Sequence, residues 1–122
     1  MRYISFVRSV EGRFGPPPPE LMNAIGALGL EAARSGVLID SAGIGPTSSG
    51  TLVRVANGKV SVLDGPFAID QEVAGGYAIF EAASREEAIA FAKRFMDLHA
   101  RHWPAWQGVS EVRPIFDAEE KC

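Results

Sequence analysis

The chain has 122 residues, a formal net charge of −3 and a hydrophobic fraction of 47%, which suits one compact domain with a modest core and is too short for two. Its 12 Lys and Arg against 15 Asp and Glu are scattered, so there is no basic footprint for nucleic acid, and no apolar run approaches the ~20 residues of a membrane span. A single cysteine, Cys122, excludes an internal disulfide framework and a cysteine-rich metal site, which makes a reducing cytoplasm the expected location.

Residues 3–8 alternate Ile4 and Phe6 with Tyr3, Ser5 and Val7, so both faces are largely apolar and a central strand is expected. The opening M-R-Y-I-S-F-V-R-S is too short for the core of a signal peptide. The run Pro16-Pro17-Pro18-Pro19 reads as a stiff polyproline-like connector, with a ligand for an SH3-type domain as the alternative. Over residues 20–35, Leu21, Ile25, Leu28 and Ala32 share one helical stripe, with Met22, Gly29 and Ala33 beside it. Gly26 and Gly29 each cost about 1 kcal/mol relative to Ala in a helix interior, so close packing on a sheet is expected there. Gly36 ends the helix, residues 37–40 form a short strand, and residues 43–50 form a loop of small residues. That loop has no helix behind it to bind phosphate.

The strongest hairpin signal is Asn57-Gly58 between Leu52-Val53-Arg54-Val55-Ala56 and Lys59-Val60-Ser61-Val62-Leu63, since this dipeptide favours a type I′ turn. A two-residue loop pairs Ala56 with Lys59, Val55 with Val60, Val53 with Val62 and Thr51 with Asp64. Four valines then share a face, and Asp64 points the same way, either at the edge of that face or into a pocket. Gly65 and Pro66 stop the strand, Phe67 follows, and Asp70 and Glu72 add carboxylates. On the plain reading Asp64 forms an Asx-turn and Phe67 plugs the core.

Residues 76–82 are apolar on both faces and make a second central strand. Ser84-Arg85-Glu86-Glu87 is a capping box, opening a helix with Ala88, Phe91, Ala92 and Phe95 inward and Lys93 and Arg94 outward. Its expected fraying end near Arg101 carries His99, Arg101 and His102, which suit the negative end of the dipole. A metal reading of His99-x-x-His102 with Asp97 lacks a third strong ligand, so a solvated terminus is expected and no metal. Trp103-Pro104-Ala105-Trp106 forms an apolar loop, and residues 109–115 form the last strand, with Glu111, Arg113 and Ile115 on one face and Pro114 marking an edge. Residues 116–122 read as a tail, which leaves Cys122 a poor nucleophile, and the serines lack a neighbouring histidine. A single domain over residues 1–115, in the order strand, helix, strand, hairpin, strand, helix, strand, suits a ferredoxin-like α+β core.

Asp64-Gly65-Pro66-Phe67-Ala68, Glu72, Gly75-Gly76-Tyr77, the helix over residues 84–95 and Glu111-Val112-Arg113-Pro114 together resemble the DGPF group of the YciI-like (YCII-related) proteins, from Met1 to about Ile115. The resemblance implies a ferredoxin-like subunit that pairs through its sheet into a dimeric α+β barrel. It implies little about reaction. Where the family continues with Glu-Thr-Lys-Glu, this chain has Ile69-Asp70-Gln71-Glu72. The His–Asp pair of other members is not carried over, because no histidine precedes His99.

Asp64 is therefore the candidate general base or ligand anchor, in a pocket between helix, sheet and partner. Phe67 and Tyr77 are its expected walls, Glu72 and Arg113 its charged neighbours, and Glu111 a further candidate. A carboxylate among valines and a phenylalanine suits proton abstraction at neutral pH. The expectation is a homodimer that binds an unidentified small molecule, with cofactor-free acid–base chemistry and no role for nucleic acid or membrane. The alternative is a non-enzymatic ligand-binding, regulatory or interaction module, since similar proteins are encoded beside extracytoplasmic-function sigma factors.

Overall fold

The computed structural model describes residues 1–116. Strand β1 (Arg2–Val10) leads to helix α1 (Pro19–Arg34) and strand β2 (Leu38–Gly43). After a 3-10 turn at Thr47–Ser49 come strands β3 (Thr51–Ala56), β4 (Lys59–Asp64) and β5 (Glu72–Glu81), helix α2 (Arg85–His102) and strand β6 (Val109–Pro114). The expected tail lies outside the described residues apart from Phe116.

Four strands make an antiparallel sheet in the order β2-β5-β1-β6, an α+β arrangement compatible with a ferredoxin-like fold. The two strands apolar on both faces, β1 and β5, are the central ones, and β6, which ends at Pro114, is an edge. Both helices cover one face. Pro19 opens α1 at a position whose missing N–H costs nothing, and Gly36, at φ 80°, follows its C-terminus in the left-handed region. At the start of α2, Glu87 N donates to Ser84 Oγ (3.1 Å), while Ala83 N donates to Glu87 Oε1 (3.3 Å). The capping box thus closes onto the residue before the cap.

Strand register decides where the core fills. Tyr3, Phe80 and Leu38 form one row across β1, β5 and β2, and this row is bulky. Phe80 is completely buried, its ring 4.7 Å from that of Phe91 and 6.1 Å from that of Tyr3, with Ala82 and Ala88 alongside. The next row is Ser5, Ala78 and Ser41, and the one after it Val7, Gly76 and Gly43. The floor under the helices therefore steps down from large side chains to almost none.

Gly26 and Gly29 depart from the expected close packing, because a Cβ at either position meets nothing within 4 Å. Gly29 faces open space above the small-residue floor. Strand β2 runs on to Gly43 rather than stopping at Asp40, since β5 supplies partners for Ser41, Ala42 and Gly43.

The hairpin has the expected register, with Val55 opposite Val60, Val53 opposite Val62 and Thr51 opposite Asp64. It forms its own two-stranded sheet. Its four valines stay 66–71% exposed, so the apolar face lies on the outside of the subunit.

Candidate functional site

A hollow of about 490 Å³ lies between α1, α2 and the low end of the sheet. Its floor is Ser5, Ala78, Ser41, Val7, Gly76 and Gly43, and α1 supplies one wall with Leu21, Ile25, Leu28 and Gly29. Phe91, Phe95 and His99 of α2, with Trp103 and Trp106, supply the other. The lining contains no aspartate, glutamate, lysine or arginine.

His99 does not sit at a solvated terminus. Helix α2 continues to His102, and His99 is 7% exposed. Phe91, Phe95 and His99 are four residues apart, which places the imidazole on the inward stripe of the helix. Its ring centroid is 4.9 Å from Phe95 and 4.6 Å from Trp106. The chain after the helix turns back to allow this, as Trp103 N donates to His99 O (2.8 Å) and Trp106 N to Trp103 O (3.0 Å). Gly108 admits the indole, because a Cβ there would collide with the Trp106 ring and come within 2.7 Å of the Arg8 carbonyl oxygen.

The His99 Nδ1 lies 3.1 Å from the Phe95 carbonyl oxygen. A carbonyl only accepts, so Nδ1 carries the proton and donates. Nε2 is left as an acceptor beside the hollow. Burial pushes the His99 pKa below the ordinary imidazole value, and the bond to Phe95 opposes this only in part.

The residues singled out from sequence fall in two other places. By register Tyr77, Glu111 and Arg113 stand on the sheet face away from the helices, Tyr77 and Glu111 on either side of Phe6 and Arg113 beside Ile4. Glu72 is opposite Val10 on the same face. Arg8, unnoticed as a charge on a half-buried strand, gathers them, with Nη1 3.2 Å from Glu111 Oε1 and Nη2 3.5 Å from Glu72 Oε1. Arg113 reaches Glu111 at 3.9 Å. The Tyr77 hydroxyl donates to Asp40 Oδ2 (2.8 Å), and this bond, followed by desolvation, raises the tyrosine pKa. Of the six, Tyr77 alone also touches the hollow.

Asp64 and Phe67 are on the signature loop. Asp64 is exposed, and its Oδ1 accepts a hydrogen bond from Thr51 Oγ1 (3.1 Å) across the hairpin. Phe67 is half-buried, its ring packed on Gly50 and its N–H 3.4 Å from Thr47 Oγ1. Gly65 N donates to Gly50 O (2.9 Å), and Thr47 N donates to Glu11 (2.9 Å). A Cβ at Gly65 would collide with the Thr47 carbonyl oxygen. The loop's bonds therefore tie it to the 3-10 turn, which is itself held by Glu11 just after β1.

Among the described residues no group of His, Cys, Asp or Glu is placed to hold a metal ion, and no described helix is long and apolar enough to cross a membrane. An uncharacterised protein of Rhizobium meliloti (strain 1021) is 30% identical to the chain over 95 residues, covering 78% of this chain and 73% of that protein. The model of the YCII-related domain matches residues 1–119, and the chain belongs to the YCII-related family.

Proposed function

We propose that this YCII-related protein is a small-molecule-binding homodimer whose ligand occupies the hollow between α1, α2 and the sheet. The observation that carries this reading is a space of about 490 Å³ with a predominantly apolar, uncharged lining and one buried imidazole. That size falls within the ~300–1,000 Å³ of ordinary ligand sites. Asp64, bonded to Thr51 on the exposed hairpin, closes the ribbon in this reading and takes no ligand.

Two uncovered apolar surfaces support the homodimer. Ile4, Phe6, Tyr77 and Ile79 share the sheet face that no helix covers, and the four valines of the hairpin form the second surface. A stable pairing buries roughly 800 Å² per partner, and a two-stranded ribbon by itself is marginal in water.

The uncharged fluorescent probe N-phenylnaphthylamine tests the hollow. Binding of one molecule per chain is expected, together with its loss in Gly29→Leu, where the new side chain enters open space without disturbing the helix backbone. Asp64→Asn should bind the probe as the native protein does. Equal binding by the native protein and Gly29→Leu would count against the site, as would no binding by either.

A further inference from the structure

We infer that the hollow selects uncharged aromatic molecules bearing a hydroxyl, and that His99 Nε2 accepts the hydrogen bond from that hydroxyl. The inference rests on the reading of the hollow as a ligand site and goes further, naming the class of ligand and the atom that recognises it.

Three features of the cavity lead to this class. The first is shape. A floor of Ser5, Ser41, Ala78, Gly76 and Gly43, with Val7 as its one branched side chain, has little side-chain relief, and the rings of Phe95 and Trp106 line the same space. A flat ring fits between a smooth sheet and an aromatic wall, where offset or edge-to-face contacts add to simple burial. The second is charge. With no carboxylate, ammonium or guanidinium in the lining, an ionic ligand loses its hydration and gains no counter-charge. Tyr77, the other titratable group that touches the hollow, already donates its hydroxyl to Asp40.

The third is the imidazole itself. Its Nδ1–H is committed to the Phe95 carbonyl, and among the described residues Nε2 has no hydrogen-bond partner. Burial holds the ring neutral, so Nε2 accepts and does not donate. A hydroxyl on the ligand satisfies it, whereas an ether leaves it unpaired. The groups placed against His99 are Phe95 on its own helix and Trp106 from the following turn, and the other residues lining the hollow from α1 and the sheet carry no charge. None of them is charged, so no neighbour competes for the lone pair as a cation.

The chain has two tryptophans, Trp103 and Trp106, and both line the hollow. Intrinsic fluorescence, excited at the red edge of tryptophan absorption where alkylphenols are transparent, therefore reports occupancy directly. Titration of the full-length protein with para-ethylphenol, para-ethylanisole and para-ethylbenzoate compares donor, ether and anion on one frame. The phenol should bind about tenfold tighter than the anisole, the worth of one well-made buried hydrogen bond, and the benzoate weakest. In His99→Phe the phenol and anisole should bind equally, with the anisole still bound. In the native protein the phenol should also shift the Nε2 resonance of His99, a readout that does not depend on any variant folding. Equal binding of phenol and anisole by the native protein would overturn the inference and leave the ligand site standing. A preference that survives His99→Phe, or tightest binding by the benzoate, would overturn it as well. No binding of any of the three would remove the ligand site too.

Discussion

Glycines and one histidine carry most of what distinguishes this chain, each for a different physical reason. Gly65 is demanded by contact, since any side chain there meets the Thr47 carbonyl. Gly65→Ala is expected to cost about 1–3 kcal/mol by forcing the loop off the 3-10 turn, seen as a lower urea midpoint. Gly26 is the opposite case. It is exposed in the middle of α1 with nothing near its Cα hydrogens, so Gly26→Ala should raise stability by about 0.5–1 kcal/mol. A drop on that substitution would mean that something packs against the helix there. For His99 the sign follows from its lowered pKa. The folded ring resists protonation more than the unfolded one, so its contribution is complete above the ordinary value of 6.5 and is lost as pH falls below it. Thermal melts across that range should show His99→Gln losing less stability on acidification than the native protein.

Among the elements, α2 does more than cover the sheet. Its inward stripe of Phe91, Phe95 and His99 fills the core at one end and walls the hollow at the other, because the strands beneath it change from Phe80 to Ala78 to Gly76 along β5. The bond between Arg94 and Glu31, 2.7 Å long but exposed at both ends, joins α2 to α1 across the gap and adds little stability. Filling the floor tests this account of the hollow. Ala78→Leu should expel N-phenylnaphthylamine and keep the fold, whereas the conservative Ala78→Ser should retain the probe. The hairpin is independent of all this, since its register follows from Asn57-Gly58 and the valine alternation alone.

For the molecule as a whole, the open face of the sheet and the valine ribbon are the surfaces left to bury. Phe6 lies at the middle of that sheet face, between Tyr77 and Glu111, so Phe6→Arg should shift sedimentation from dimer to monomer while leaving circular dichroism unchanged. A native protein that sediments as a monomer at micromolar concentration would exclude the homodimer. Element order, the two central strands, both helix starts and the hairpin register were all legible in the linear chain. Each depends on a period of two or 3.6 residues or on a cap within four positions. The hollow was not legible, whereas Asp64 stands out in the linear chain because it follows the valines in parity. Parity says which residues share a face, and the neighbours of that face are set elsewhere. Ser5, Ser41 and Ala78 lie far apart along the chain and become a floor only when β1, β5 and β2 pair. Local spacing thus determined the elements of this protein and their facing. The pairing of distant strands decided where side chains run out, and so which histidine stands beside empty space.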